Sequence, residues 1–412
     1  MTLNGGNGTV IPINIHNDTN GTIWTKLRID HIKILNSVVT SGNIITNGQI
    51  YGVIDHDSIW STVGNLIQIN GAENYSWLDP LDINGDDYLF VEDCFLSDHT
   101  NTDGTITIAH GGRVVIRNSI LANRPRVNIH GNGSSGTTAS GTHTGSNGAA
   151  TLTDAAKSWT TNAYATGYYV LVNHTDSSTT LITANTATTA TGTLGGGTRN
   201  NWNDGDAYTI SPWNNPHGVV STQVYNNIWY DTVAVNGLDA RSGTTICFNN
   251  KIYSTLGIGN ITFTIREEDA NPAIGAVYPI CRTYPGYDPI INSYFWSDSL
   301  FNADPYRKMD FYAGDGVASH QESKLITEQQ DYWTDIRNYT QATGYFAYGT
   351  YANRPASPSD QDCYYATDLT KLYRSVGANN WTYIYKPYTY PHPLVGGGGT
   401  TSSKICRITI VR

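Results

Sequence analysis

Charge, methionine and helix-forming residues are all scarce in this chain. Only 14% of its 412 residues are Asp, Glu, Lys or Arg, against about a quarter in ordinary globular domains, and Met occurs twice. Ala, Leu, Glu and Lys, the residues long helices are built from, are thinly spread. No apolar run approaches the ~18 residues a membrane-crossing helix needs, so no membrane partner is expected. No run of five Lys or Arg occurs and the net charge is −10, which excludes a basic groove for nucleic acid. Walker loops, dinucleotide fingerprints, nucleophile elbows and HExxH are also missing. The five cysteines (Cys94, Cys247, Cys281, Cys363, Cys406) form no CxxC pair and no zinc pattern, and read as buried thiols with room for one disulfide. The start, MTLNGGNGTVIPINIH, lacks the basic and apolar regions of a signal peptide and reads as mid-domain sequence. An export segment removed earlier, or release within a virus particle, would both give this start. The expected location is extracellular or virion-associated.

What the chain has is Gly (41 residues), Asn, Thr, Val, Ile and Tyr, the material of strands joined by tight turns. Six segments fall into one register: IDHIKI from Ile29, IDHDSI from Ile54, VEDCFL from Val91, IRNSIL from Ile116, VYNNIW from Val224 and CFNNKI from Cys247. Their first positions are apolar, and so are the sixth (Ile34, Ile59, Leu96, Leu121, Trp229, Ile252). The third positions are polar: His31, His56, Asp93, Asn118, Asn226, Asn249. Inward apolar residues with a stacked polar residue at a bend define the rung of a β-solenoid. Second positions 30, 55, 92, 117, 225 and 248 are separated by 25, 37, 25, 108 and 23 residues. A coil of about 23–25 residues explains these steps if one loop adds about 12 residues and one insertion adds about 83. The fold class is therefore all-β, a parallel β-helix interrupted by a small β-domain.

The expected organisation is β-helix over 1–132, the inserted β-domain over 133–213 and β-helix again over 214–305. A capping, Tyr-rich segment follows over 306–394, then a Gly-rich linker and last strand (ICRITIVR) over 395–412. NITFTIREE and INSYFWSDSLF are candidate later rungs. KLITEQQDYWTDIRNY is the single helix-like stretch, with Ile326, Tyr332, Trp333 and Ile336 on one face. Because the chain starts inside an apparent rung, a partner segment or neighbouring copy is expected over that edge, as a homo-oligomer or end-to-end assembly.

The run WTKLRIDHIKI, YGVIDHDSI, YLFVEDCFL, RVVIRNSIL, VNIHGNG, VYNNIWY, TTICFNNKI, PICRTYPGYDP and YKPYTYPHPL resembles right-handed β-helix proteins of the pectate-lyase-like superfamily. The resemblance implies a right-handed helix and a polysaccharide partner. It implies activity weakly, because lyases, glycoside hydrolases, tailspikes and adhesins share the fold. TLTDAAKSW and WNDGDAYTI in the insert, and GTYANRPASPSDQDCYYATDLTKLYRSVGANNW, resemble modules of phage structural and tail-fibre-like proteins.

Second-position residues lie between inward ones and should face outward into water. Rungs ~4.8 Å apart would make Asp30, Asp55 and Glu92 a column of carboxylates with Arg117 next in line. Such a column raises pKa values or holds a cation. With Ca²⁺ on Asp30, Asp55, Asp57 and Glu92, it would suit elimination on an acidic glycan, with Arg117, Arg113 or Lys33 assisting and His56 or His130 as rival bases. Without metal, neighbours ~5 Å apart would suit a retaining glycosidase, and Asp30 with Glu92 at ~9.6 Å an inverting one. Acidic ladders also serve merely as solubilising or structural features. Arg113, Tyr225, Arg241 and Arg266 are candidate substrate-binding residues, although Arg241 and Arg266 equally suit pairing with acids such as Glu267 and Glu268. The 28 Tyr residues concentrate near the C-terminus, where they either stack on sugar or pack along the solenoid and cover a wall. A non-catalytic tail appendage or adhesin is the alternative to an enzyme.

Overall fold

The computed structural model describes residues 2–4, 13–17, 22–37, 42–61, 64–72, 76, 81–98, 104–131, 138–165, 169–195, 197–212, 218–232, 236–254, 262–266, 290–302, 309–313, 326–336, 346–377 and 380–396. Three parallel sheets of eight strands run through it, visited in strict rotation, so each circuit of the chain adds one strand to each wall. This is a right-handed parallel β-helix. The first wall runs from Thr2–Asn4 to Ser299–Asn302 and the second from Ile13–His16 to Asp310–Ala313. The third comprises Trp24–Asp30, Ile50–Asp55, Leu89–Glu92, Arg113–Arg117, Ser221–Tyr225, Thr244–Phe248, Ser293–Trp296 and Tyr332–Thr334.

The first and sixth positions of the sequence repeat do fill the interior. Ile29, Ile54, Val91, Ile116, Val224 and Cys247 meet Ile34, Ile59, Leu96, Leu121, Trp229 and Ile252 in one continuous core. Between third and first walls the chain bends at the third position. Every residue there has φ between 51° and 59°: His31, His56, Asp93, Asn118, Asn226, Asn249 and, in the next rung, Ser297. The left-handed region suits short polar side chains such as Asn and Asp better than branched ones, which accounts for the residue types. The bends also stack. The rings of His31 and His56 lie 5.0 Å apart and nearly parallel, and Asn249 Nδ2 donates to Asn226 Oδ1 at 2.8 Å.

The fourth position carries a second ladder, inside the solenoid. Asp57 Oδ1 accepts the Ile32 amide, Ser119 Oγ that of Cys94, and Asn227 Oδ1 that of Ser119. Asn250 Oδ1 then accepts the Asn227 amide and Asp298 Oδ1 the Asn250 amide. The side-chain Nδ2 groups of Asn227 and Asn250 complete the pattern by donating to the carbonyls of Ile116 and Val224 in the rung before. An unpaired backbone N–H in such an interior is expensive, and each of these side chains removes one.

The insertion leaves after the second-wall strand Val127–Ile129 and returns at the third-wall strand Ser221–Tyr225. It forms an antiparallel sheet of Ala139–Thr142, Ala207–Pro212, Tyr169–Asn173 and Ser178–Leu181 with a smaller three-stranded one. Leu152, Leu171, Ile182, Trp202, Tyr208 and Ile210 give it a core of its own. Thr262–Ile265, Ser293–Trp296 and Ser299–Asn302 are further rungs, as the sequence suggests. The helix expected around 324–339 is corrected. Tyr332–Thr334 is the eighth strand of the third wall, with Tyr332 in the solenoid core and Trp333 on the outer face, a period of two. Near the C-terminus, Phe346–Gly349, Cys363–Ala366, Lys371–Ser375 and Trp381–Tyr385 form a four-stranded sheet. Its Cys363, Leu372 and Tyr385 pack on the outer face of the third wall. Cys94, Cys247 and Cys363 are buried free thiols. Cys281, Cys406, the PICRTYPGYDP motif and the ICRITIVR strand lie outside the described residues.

Burial pushes the carboxyls of Asp57 and Asp298 up to about 7. A carboxyl raised in the folded state takes up a proton on folding, so this stability is full below about pH 4 and lost as pH rises through about 7. The second oxygen of Asp298 has no partner among the described residues. Asparagine there would keep the acceptor and, by ladder equivalence, offer its amide to the Cys247 carbonyl. Thermal melts of Asp298→Asn should therefore show a Tm about 4 °C or more above the parent at pH 8 and little gain at pH 4.5. Equal gains at both pH values would refute a titrating Asp298.

Candidate functional site

The second-position residues are vertical neighbours on the third wall. Asp30 pairs in register with Asp55, Asp55 with Glu92, Glu92 with Arg117, and Arg117 with Tyr225. Phe248 and then Trp296 continue the column. Their side chains point away from the solenoid interior, but the expectation that they face water is corrected. Asp30 is exposed, whereas Asp55, Glu92 and Arg117 have side chains at 0% exposure. The cause is the C-terminal segment beyond Tyr385, which lies along this wall. Of the two roles open to the Tyr-rich region, covering a wall is the one observed.

Each buried charge is spent. Asp55 accepts from Arg28 Nε and Nη2 at 3.2 and 3.3 Å, and its Oδ2 lies 2.9 Å from His56 Nδ1. The Asp55 hydrogen bond, ahead of the Asp30 charge, raises the Arg28 pKa. Glu92 Oε2 meets Arg117 Nε at 2.8 Å and Nη2 at 2.7 Å, while Oε1 accepts the His392 amide at 2.8 Å. Arg117 also donates to the Tyr225 hydroxyl and to the carbonyls of Tyr388 and Thr389. Burial opposes its charge, but Tyr225 and Glu92 outweigh that and its pKa is raised, so it is no base.

A calcium site built from Asp30, Asp55, Asp57 and Glu92 does not fit. Asp57 points into the interior, where it serves the Ile32 amide, and guanidinium groups occupy Asp55 and Glu92. Among the described residues no three His, Cys, Asp or Glu side chains converge as metal ligands. Each carboxylate pair considered for a glycosidase includes Asp55 or Glu92, whose side chains are at 0% exposure and ion-paired. Of the proposed bases, His56 remains partly exposed and held by Asp55. His130 sits on the second wall, near Asn128 and Arg241.

The substrate-binding candidates separate. Arg113 is buried and donates to the Ser76 carbonyl at 2.8 Å. Tyr225 is buried, its ring stacked on Phe248 at 4.8 Å. Arg241 and Arg266 lie on the second wall and, with Arg126, surround Asp239. Burial works against that carboxylate, but Arg241 and Arg266 hold its pKa low. Glu267 and Glu268 lie outside the described residues.

No family model, curated protein or solved structure matches this chain. The site must be read from its own geometry. Where the column turns aromatic, a cleft of about 540 Å³ opens between the third wall and the C-terminal sheet and segment. Phe248 and Trp296, stacked 4.3 Å apart, line it with Tyr365 and Tyr388. Asn226, Asn249 and Ser297, the bend residues of three consecutive rungs, form an edge, and Lys386 is its one charged lining residue. The Trp296 indole N–H is buried without a partner among the described residues. Tyr density and the alternation that ends in Phe248 were the sequence signals of this cleft. Its closure by residues more than a hundred positions away had none.

The column predicts unequal mutational costs. Asp55→Ala should destabilise by about 1–2 kcal/mol in chemical denaturation, because it removes the buried acceptor of Arg28 and His56 while Arg28 keeps Asp30 and the Leu394 carbonyl. Asp30→Ala, at the exposed end, should cost well under about 1 kcal/mol. Millimolar calcium should leave the melting temperature unchanged; a rise abolished by Asp55→Ala would restore the calcium reading.

Proposed function

We propose that this β-helix protein binds an acidic polysaccharide in the cleft between its third wall and its Tyr-rich C-terminal sheet. The observation that carries the reading is the lining. Tyr365 and Tyr388, which keep part of their surface exposed, supply apolar contact, two exposed asparagines supply donors and acceptors, and a lysine supplies the one charge in the described lining. A volume of about 540 Å³ suits a few sugar units of a longer chain. Lys386 without an acid in the lining favours a uronate or other anionic sugar over a neutral one.

The reading is binding without cleavage. The carboxylate column that would have supplied acid–base chemistry is consumed by ion pairs. A tail appendage or adhesin, working outside the cell or on a virus particle, needs only such binding. The likeness of 349–381 and of the insert to phage modules favours that setting, and the pectate-lyase-like motif order favours a glycan partner.

Titration calorimetry against acidic and neutral oligosaccharides tests this. An acidic member should bind, and Lys386→Ala should weaken it about tenfold with little effect on any neutral ligand. No unsaturated product or new reducing end should appear. Absence of binding across a broad acidic panel would sink the proposal, and turnover would replace it with the enzyme reading.

A further inference from the structure

We infer that Glu92 and Arg117 are positioning residues for the cleft: their buried ion pair fixes the segment that supplies Lys386, Tyr388 and Thr389 to its lining. This rests on the reading of the cleft as a glycan site. The pair lies outside the cleft lining and touches it through the chain it holds.

The geometry is that of a catch. Arg117 donates four hydrogen bonds and makes one further close ion contact. Nε donates to Glu92 Oε2, from which Nη2 lies 2.7 Å; Nη1 donates to the Tyr225 hydroxyl and the Tyr388 carbonyl, and Nη2 to the next carbonyl, that of Thr389, the two carbonyls at 3.0 Å each. Glu92 Oε1 takes the His392 amide from the same segment, so the pair binds it through acceptors and through a donor. The rings of Phe90 and Tyr390 lie at 4.9 and 5.5 Å from the guanidinium carbon. Tyr390 adds a hydrogen bond to Asp93 at 2.7 Å.

A fork that reads two consecutive carbonyls accepts one register of the segment. A slip by one residue would withdraw a carbonyl from a buried cation. Isolating this ion pair from water is costly, and the segment's backbone groups offset part of that cost. Without the segment, Arg117 and Glu92 would be an ordinary surface pair of small worth. Charge pair and segment are therefore thermodynamically coupled. The coupling acts with the 83–85 loop, where Asn84 Oδ1 accepts the Lys386 amide and the Ile83 and Gly85 carbonyls accept the Tyr388 hydroxyl, to hold Lys386 and Tyr388 in the cleft lining.

Two full-length variants test it. Arg117→Lys keeps the charge and loses the fork. Glu92→Met with Arg117→Met removes both charges together, avoiding a stranded ion, and should melt within a few degrees of the parent. In both, the His392 amide should exchange with deuterium roughly tenfold faster or more, while amides of the solenoid core keep their protection. Affinity for the acidic oligosaccharide should fall about tenfold alongside. Unchanged exchange at His392 in the double variant overturns the catch. Faster exchange with undiminished affinity overturns its role in positioning the cleft. If the parent binds no glycan while exchange responds as described, it is the glycan reading that fails.

Discussion

A parallel stack lets a rung settle only where the rung before it leaves open amides and carbonyls, and a slip of one residue would turn every interior side chain to water. Here that register is pinned between the third and first walls, at the bend of each aligned rung and, in five of them, by the side chain that follows it. The left-handed bend residue holds the corner, and the residue after it reaches across to an amide of the neighbouring rung. Everything else inherits this alignment. It places Asp30, Asp55, Glu92, Arg117, Tyr225, Phe248 and Trp296 in one outward file, and so determines what the C-terminal segment can meet.

That file changes character along the solenoid. Its early rungs are charged and its later ones aromatic, and the cover matches both parts. Over the charged part the segment contributes backbone carbonyls and an amide, which satisfy ions. Over the aromatic part the sheet contributes Cys363, Leu372 and Tyr385, which exclude water. The cleft lies where the two kinds of cover meet, and it combines aromatic side chains with polar bend residues for that reason. Polar groups that make no demand on the fold are the ones left for a ligand.

Much of the solenoid was legible in the sequence because its rules are local and repeated. Apolar first and sixth positions, a polar third position and the spacing of second positions suffice to stack the rungs and to mark out an insertion. The fourth position was harder to read, since Asp57, Cys94, Ser119, Asn227, Asn250 and Asp298 share a hydrogen-bonding role and no common chemistry. The last third-wall strand was misread because only three residues carry it, and Tyr332 with Trp333 suits a helix face as well as alternation. The candidate site was half legible. Vertical adjacency followed from the repeat, but the contact of Arg117 with Tyr388 joins residues 271 positions apart and has no periodic trace.

Where the insertion leaves and returns, Val219 N donates to His130 O at 3.0 Å. On either side, Val114 pairs with Thr222 and Val127 with Leu238, as if no chain intervened. The coil is thus already closed where the guest module departs, and the free energy of the stack is nearly indifferent to what hangs between the stems. That corner is a socket. A change in the module between the stems leaves the register of every described rung in place.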